Sequence, residues 1–292
     1  MRNGGRPMRP TEKWISWKRD QNLPVTNKPV TVSRITPSCR IHQWGNGPPV
    51  IVLPGMAGGL NLMAPFIRDL ATDHRVIGLE FRDEFGLPTT PSVRYQLSDL
   101  VDDVEQSMEL LRLERPAVVG VSFGGVVALE LARRAGQKLG RVVVQGVGSH
   151  FERRFITKVA SWILPRFPLQ SSPCLDPFFN LLVGSNWPDQ EMVRRMARQC
   201  WRTDQGVIAQ RYQLVENIDF RNHFESISLP VLALRGDRDV LVSKSAWTGL
   251  GEGLPRGRLR SIAGAGHLAF ATHPHLVAAE VRHFTRILKR AG

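Results

Sequence analysis

The chain has 292 residues, of which 42% are hydrophobic, and its formal net charge is +13 at pH 7. This length is enough for one large core, or for one core with a smaller subdomain. No run approaches the roughly 18 consecutive apolar residues of a membrane-spanning helix, and no apolar segment follows the basic start as a secretory signal would require. A cytoplasmic enzyme is therefore expected.

Residues 1–29 form a basic N-terminal arm. The first 40 residues contain nine Lys and Arg against two acidic residues, a net charge of +7. With Trp14 and Trp17, such a segment could make weak contact with an anionic membrane surface or lie on a nucleic acid. The alternative is a solvated extension that packs both tryptophans on the domain. The other basic residues are scattered and follow no nucleic-acid-binding motif, so no nucleic-acid partner is predicted.

The cysteines Cys39, Cys174 and Cys200 are too few and too far apart to suggest a disulfide framework or a zinc cluster. We expect reduced, partly buried thiols. No spacing of His, Asp and Glu is typical of a metal site, so neither a metal nor a cofactor is predicted.

Apolar runs of strand length recur along most of the chain. Two alternating segments near the start predict half-buried strands that pair as an antiparallel hairpin at a sheet edge. Most later runs are continuously apolar, as in strands covered on both faces. In chain order, the predicted strands are residues 30–35, 39–44, 50–53, 75–81, 117–121, 141–147, 230–234 and 258–262.

Helical patterns alternate with these strands, at residues 60–72, 95–113, 126–134 and 274–288. In the helix predicted at 95–113, apolar residues form one stripe, and acidic residues that include Asp103 form a face expected to be solvated. Strands that alternate with helices predict the α/β class, with a mostly parallel, doubly wound sheet of about eight strands.

The pattern changes at Ser149. Residues 149–227 contain no clear strand, and their short helical patterns are interrupted by prolines. We interpret this segment as a helical cap inserted into a core made of residues 30–148 and 228–292. Because the insertion is rich in aromatic residues, it predicts a medium-sized hydrophobic substrate.

One stretch, Gly120-Val121-Ser122-Phe123-Gly124-Gly125, joins a predicted buried strand directly to a helix. A serine at such a corner projects from a tight turn, and the flanking glycines allow neighbouring backbone to approach closely. The helix N-terminus favours developing negative charge. The pattern is typical of a nucleophile elbow. The alternative is a glycine-rich turn of another doubly wound fold, with a phosphate at the helix N-terminus.

Parallel sheets place ligand groups at the carboxyl ends of their strands. Four features follow predicted strands in this way: the Gly-rich turn at 55–59, Ser122, Asp239 and His267. A serine hydroxyl needs an adjacent base, and the base needs a carboxylate that holds its tautomer. His267 is the best placed of the eight histidines. Asp239 is the favoured carboxylate, and Asp237, which can cap the following turn, is the alternative.

These motifs resemble the α/β-hydrolase superfamily, in its helical-cap branch with a serine nucleophile, over about residues 30–290. The resemblance rests on the serine corner, on the Gly-rich turn after Leu53, on Gly236-Asp237-Arg238-Asp239 and on Gly264-Ala265-Gly266-His267. It implies that Ser122 is the nucleophile, His267 the base and Asp239 the orienting acid.

The resemblance also implies an oxyanion hole formed by the backbone N–H groups of Phe123 and Met56. In the Gly-rich turn after Leu53, the family commonly has His-Gly. Here that turn contains Pro54, which has no N–H. The donor from this turn is therefore Met56 or Ala57. Substrate contacts are expected from Gly55, Ala57, His150 and Trp162. For His150, the alternative is a loop histidine that bonds to backbone.

The expected function is hydrolysis of a carboxylic ester or thioester through an acyl-enzyme on Ser122. A carbon–carbon bond hydrolase or lyase of the same superfamily is an alternative, because such enzymes share the triad. A non-catalytic binding or adaptor protein on the hydrolase scaffold is another. A serine nucleophile, instead of an aspartate, argues against the dehalogenase and epoxide-hydrolase branches.

Overall fold

The computed structural model describes residues 32–36, 39–82, 95–151, 176–185 and 187–286. The predicted N-terminal arm, Cys174 and Trp162 lie outside the described residues. The described strands are β1 Val32–Thr36, β2 Cys39–Trp44, β3 Pro49–Leu53, β4 Arg75–Glu80, β5 Ala117–Val121, β6 Arg141–Gln145, β7 Val231–Gly236 and β8 Gly257–Ile262.

Helices fill most of the intervals between these strands. They are α1 Gly59–Leu62, α2 Ala64–Leu70, α3 Leu97–Leu110, α4 Phe123–Ala135, α5 Asp176–Val183, α6 Gln190–Cys200, α7 Gln205–Val215, α8 Lys244–Gly253, α9 Ala269–Thr272 and α10 Pro274–Arg286. None of the described helices is long and apolar enough to cross a membrane.

The eight strands form one sheet in the order β1-β2-β4-β3-β5-β6-β7-β8. The pairs β1–β2 and β2–β4 are antiparallel, and every later pair is parallel. The predicted α/β class, the mostly parallel sheet and the antiparallel edge hairpin are therefore confirmed. The chain passes from β3 to β4 on one side and then to β5 on the other, so the strand order reverses at β3.

Two hydrophobic cores lie on the two faces of the sheet. Along β3, Val50 and Val52 belong to one core, while Ile51 and Leu53 belong to the other, because successive strand residues point to opposite faces. All five residues of β5 are buried. Burial on both faces explains why this strand is a continuous apolar run instead of an alternating one.

Two local predictions were wrong. The helix expected at 60–72 is divided into α1 and α2 at Met63, because Pro65 lies in the first turn of α2 and starts a new helix. Asp103 of α3 was expected on a solvated face but is only 3% exposed. Its carboxylate accepts hydrogen bonds from Nε and Nη2 of Arg82, at 2.9 and 2.8 Å. This fork offsets part of the cost of burial, which still raises the pKa of the Asp103 carboxyl.

Between β6 and β7 the described residues form α5, α6 and α7, and their one strand-like pairing is an isolated bridge between His150 and Asp219. The apolar side of α6, which carries Met192 and Met196, is buried in the same core as α1. The division into a core and a cap at residues 149–227 remains a prediction.

Candidate active site

Ser122 lies at the corner between β5 and α4. Its φ of 49° and ψ of −113° are values that a residue other than glycine rarely adopts. The Ser122 N–H donates to the carbonyl of Gln145 at 2.8 Å, and the Ser122 carbonyl accepts the N–H of Gly125 at 2.9 Å. These bonds to β6 and to α4 hold the corner in its strained conformation.

Two glycines make this corner possible. A Cβ atom on Gly120 would lie 2.3 Å from the carbonyl oxygen of Gly124. A Cβ atom on Gly124 would lie 2.4 Å from the carbonyl oxygens of both Leu53 and Pro54. Backbone atoms cannot move aside as a flexible side chain can. The close packing of β3, β5 and α4 therefore requires both glycines.

The structure brings the three side chains of the predicted triad together. His267 Nε2 lies 3.0 Å from Ser122 Oγ, and His267 Nδ1 lies 2.9 Å from Asp239 Oδ2. His267 and Asp239 are 5% and 4% exposed, whereas Ser122 is half-buried. The imidazole thus joins a buried carboxylate to the hydroxyl of a partly buried serine.

Asp239 is held by bonds to both of its carboxylate oxygens. Oδ1 accepts the backbone N–H groups of Leu241 and Val242 at 2.8 and 3.0 Å, while Oδ2 faces His267. Burial by itself raises the pKa of this carboxyl, but the interaction with His267 and the two N–H donors outweighs burial and lowers the pKa below 3.8. Asp239 is therefore an ionised acceptor aimed at the imidazole.

Asp237, the alternative acid, has a different role in the structure. Its Oδ1 accepts the N–H of Gly264 at 2.9 Å, a bond that joins the turns after β7 and β8. Arg235 supports the same region, since its guanidinium donates to the carbonyls of Asp239 and Val242, both at 2.8 Å. The bond from Gly264 gives Asp237 a structural role, but the turn that it caps is the one after β8, whereas the N–H groups of the following turn are capped by Asp239.

The end of β6 positions His267, a role that no sequence motif indicated. Gln145 is fully buried, and its Nε2 donates to the His267 carbonyl at 2.9 Å. Gly146 has a φ of 68°, and a Cβ atom there would lie 2.8 Å from His267 Cε1. The signal in the sequence is a Gln-Gly pair that ends an apolar strand. Its meaning depends on a partner 122 residues away.

The turn after β3 passes beside the serine. A Cβ atom on Gly55 would lie 3.8 Å from Ser122 Cβ, while Met56 and Ala57 are half-buried. Gly58 donates its N–H to Thr203 Oγ1 and accepts from Gln199 Nε2, both at 3.0 Å. The turn is thus tied at its far end to α6 and to the loop after α6.

The other expected substrate contacts have mixed outcomes. Gly55 and Ala57 lie in the turn beside Ser122. His150 is half-buried, its Nδ1 lies 3.0 Å from Ser149 Oγ, and its backbone pairs with Asp219. The imidazole therefore contacts a serine side chain and only the main chain of His150 has a backbone partner. Both the substrate contact and the loop-histidine alternative remain predictions. Trp162 cannot be placed, because it lies outside the described residues.

Among the described residues, no group of three or more His, Cys, Asp and Glu could hold a metal ion. Cys39 and Cys200 are free and buried, and burial is the main cause that raises the pKa of each thiol to about 12. Both remain protonated at neutral pH, which makes them poor metal ligands and poor nucleophiles.

An aligned hydroxyl, imidazole and carboxylate can perform one kind of chemistry directly. The imidazole can take the hydroxyl proton while the serine oxygen attacks an electrophilic carbon, and the carboxylate stabilises the resulting imidazolium. The N–H of Phe123, the first of α4, has no acceptor within the helix and can bind a developing oxyanion. The arrangement therefore suits acyl transfer.

A family model described as alpha/beta hydrolase fold matches residues 48–274 of this chain. A putative carbamate hydrolase, RutD, from Serratia proteamaculans is 28% identical over 254 residues, which cover 82% of this chain and 89% of the relative. Esterase YbfF from Escherichia coli is 22% identical over 245 residues, covering 82% of this chain and 93% of the relative.

Solved structures share the fold. An esterase from Exiguobacterium antarcticum superposes with a TM-score of 0.75 at 18% identity, and the match covers 89% of this chain and 98% of the esterase. At this level of identity the likeness concerns the fold alone. It extends beyond the sheet to nearly the whole length of the neighbour.

Proposed function

Because the chain belongs to the α/β-hydrolase fold family, we propose that it is a serine hydrolase that cleaves a carboxylic ester or thioester through an acyl-enzyme. The observation that carries the proposal is the continuous set of hydrogen bonds from Ser122 to His267 and on to Asp239, at 3.0 and 2.9 Å. The coarser conclusion, that the protein is a hydrolase, also agrees with the names of its relatives.

In the first half of the reaction, Ser122 Oγ forms a bond to the substrate carbonyl carbon while His267 Nε2 takes the hydroxyl proton. The carbonyl π electrons move onto oxygen. Collapse of this tetrahedral intermediate re-forms the carbonyl and expels the alcohol or thiol, which receives its proton from His267. The acyl group is then attached to Ser122.

In the second half, water takes the place of the serine hydroxyl. His267 removes a proton from the water as it attacks the acyl carbon, and the collapse of the second intermediate returns that proton to Ser122 and releases the acid. Asp239 remains ionised throughout, in agreement with the lowered pKa of its carboxyl. The N–H groups of Phe123 and Met56 stabilise the oxyanion in both halves of the reaction. Each N–H group contributes about 3 kcal/mol.

A medium-sized hydrophobic substrate is the proposed class. The support is that Met56 and Ala57, in the turn that passes beside Ser122, and Leu241, two residues after Asp239, are apolar and only partly buried. A carbamate is a second candidate, because the Serratia relative is named a putative carbamate hydrolase. Carbamates and esters present the same kind of carbonyl to the serine.

The test is a panel of p-nitrophenyl esters of increasing acyl length, with thioesters, carbamates and vinylogous diketones measured beside them. We expect ester turnover to increase from acetyl to medium-length acyl chains. Ser122→Ala is expected to lower kcat to background, a loss on the order of a millionfold, because it removes the nucleophile. The variant should keep its melting temperature and lose labelling by a fluorophosphonate probe.

The matched control is Ser245→Ala on α8, an exposed serine that contacts Ser243. It is expected to retain turnover and labelling. Turnover that survives in Ser122→Ala would overturn the assignment of the nucleophile. A wild-type protein that neither reacts with the probe nor turns over any member of the panel would instead support the adaptor alternative.

A further inference from the structure

Arg211 on α7 is the largest of the fully buried side chains in the described part of the chain, and it is 0% exposed. A guanidinium is expensive to remove from water unless its N–H groups find acceptors. Its burial next to the candidate active site therefore requires compensating contacts.

The neighbours of Arg211 supply those contacts. Its Nη1 donates to the carbonyl oxygens of Gly55 and Met56, at 3.2 and 3.0 Å. Its guanidinium carbon lies 5.2 Å from the ring centroids of both Phe81 and Phe123. One cation thus contacts the turn after β3 and the residue that follows the serine, the two segments that would form the oxyanion hole.

Peptide geometry gives these contacts a consequence. In a trans peptide the C=O of one residue and the N–H of the next point in opposite directions. The bond from Arg211 to the Gly55 carbonyl therefore directs the Met56 N–H away from the guanidinium. The bond to the Met56 carbonyl does the same for the Ala57 N–H. Rotation of either peptide would remove an acceptor from a buried cation.

We propose that Arg211 is a positioning residue that fixes the two peptides after Gly55, so that the Met56 N–H faces the reacting carbonyl oxygen and the Ala57 N–H is directed to the same side of the turn. This inference rests on the proposed acyl-transfer function. Pro54 has no N–H to offer, so the orientation of the two peptides after Gly55 decides whether Met56 or Ala57 supplies a donor from this turn. A residue of the segment between β6 and β7 thereby acts on the geometry of the turn after β3.

The inference is tested with Arg211→Met, which keeps most of the side-chain volume and removes the donors, and with Arg211→Lys, which keeps the charge. For Arg211→Met we expect kcat for a p-nitrophenyl ester to fall by about a hundredfold to a thousandfold, the effect of one lost oxyanion donor. KM should change by less than about threefold, since the donor acts on the transition state. A trifluoromethyl ketone mimics the oxyanion intermediate, so the affinity for this inhibitor should fall in parallel with kcat. The kcat of Arg211→Lys should lie between those of the wild-type protein and Arg211→Met.

The control is Arg194→Met on α6, where a half-exposed arginine pairs with Glu191. It should leave kcat and ketone affinity unchanged. If Arg211→Met does not fold, Arg211→Lys carries the test, because a loss of kcat without a change in KM is not expected from a purely structural role.

A folded Arg211 variant with wild-type kcat and ketone affinity would overturn the inference. Hydrogen exchange at the Gly58 amide, which donates to Thr203 Oγ1 at the far end of the same turn, gives a readout that does not need activity. It should become faster in Arg211→Met, because the turn is no longer held by the guanidinium, and unchanged exchange would also overturn the inference. If the wild-type protein is inactive on the whole ester panel, the proposed function fails, and the exchange measurement still decides whether Arg211 fixes the turn.

Discussion

At the scale of single residues, the site depends on backbone conformations that only certain residues tolerate. Ser122 adopts a positive φ although it has a side chain, and bonds from both neighbouring elements hold it there. Gly146 has a φ of 68° and also faces the His267 ring. A side chain there would therefore strain the backbone and also collide with the imidazole. Comparison with a second glycine that has a positive φ but no close neighbour separates these two effects.

Gly146→Ala and Gly264→Ala form a matched pair. Both glycines have a positive φ, 68° and 75°, so alanine at either position should destabilise the fold by about 1–2 kcal/mol. A Cβ atom on Gly146 would lie 2.8 Å from His267 Cε1, whereas the nearest atom to one on Gly264 is His273 Nε2, at 3.9 Å. Only Gly146→Ala should displace the imidazole and lower kcat, by about a hundredfold.

The pair is measured by thermal unfolding and by turnover of the best ester in the panel. Equal kcat values for the two variants, at similar losses of stability, would contradict the conclusion that Gly146 keeps space for the His267 ring.

At the scale of secondary-structure elements, charged side chains attach the last helix to the rest of the fold. Asp73 follows α2, and its carboxylate accepts hydrogen bonds from Arg282 Nε at 2.9 Å and from Arg286 Nη2 at 3.0 Å, both on α10. Arg282 also bonds to Asp69 of α2. These contacts join elements that are about two hundred residues apart in the chain.

Asp73→Asn should therefore weaken the fold in a pH-dependent way. Burial opposes ionisation of Asp73, but hydrogen bonds from Arg282, His74 and Arg286 outweigh it and lower the pKa to about 2, from 3.8. Because the folded-state pKa is the lower one, the stabilisation is present above about pH 4 and is lost as the pH falls toward 2. Asp73 is partly exposed, so solvent screening limits the effect to about 1 kcal/mol.

The measurement is chemical unfolding of both proteins between pH 3 and 7. The difference in the free energy of unfolding between the wild-type protein and Asp73→Asn should be constant near neutral pH and should become smaller toward pH 3. Asp219→Asn is the informative comparison, since Asp219 also has a pKa of about 2, with the hydrogen bond from Arg221 as the main cause. This partner is two residues away and can remain close in the unfolded chain, so a smaller effect is expected. A pH-independent difference for Asp73→Asn would show that the ion pairs are not the source of its stabilisation.

Local patterns predicted most of these elements because the sheet is buried on both faces, and a continuous apolar run of strand length such as Ala117–Val121 is typical of a strand covered in this way. The local patterns gave a wrong prediction where contact with a distant residue determines whether a side chain is buried. The periodicity of α3 placed Asp103 in water, but Arg82, 21 residues earlier, covers it. Nothing in the sequence indicated that Arg211 is buried beside the candidate active site, because a charged residue on a helix is ordinarily exposed.

At the scale of the whole molecule, the strand order explains why residues far apart in sequence meet. Reversal of the winding direction at β3 leaves a crevice at the carboxyl ends of β3 and β5, where the Gly55 turn and Ser122 lie. Asp239 and His267 follow β7 and β8, and Gln145 at the end of β6 connects His267 to the serine corner. The motifs predicted the three side chains that the structure brings together, whereas the contacts that support them depend on this topology.

The charge distribution of the whole chain leads to a last prediction. Residues 1–29, which lie outside the described residues, contain seven Lys and Arg and two acidic residues, so they contribute +5 to the net charge of +13. Basic residues near an anionic bilayer each contribute about 1 kcal/mol of attraction, which salt weakens. Deletion of residues 1–29 should therefore weaken binding to phosphatidylserine-containing vesicles at least tenfold, as measured by co-sedimentation at low salt, while turnover of a short soluble ester is retained. Substitution of Trp14 and Trp17 by alanine tests the aromatic contribution at constant charge. If the truncated and full-length chains bind these vesicles equally, the attraction comes from the remaining +8 charge, and the arm is not a membrane-contact segment.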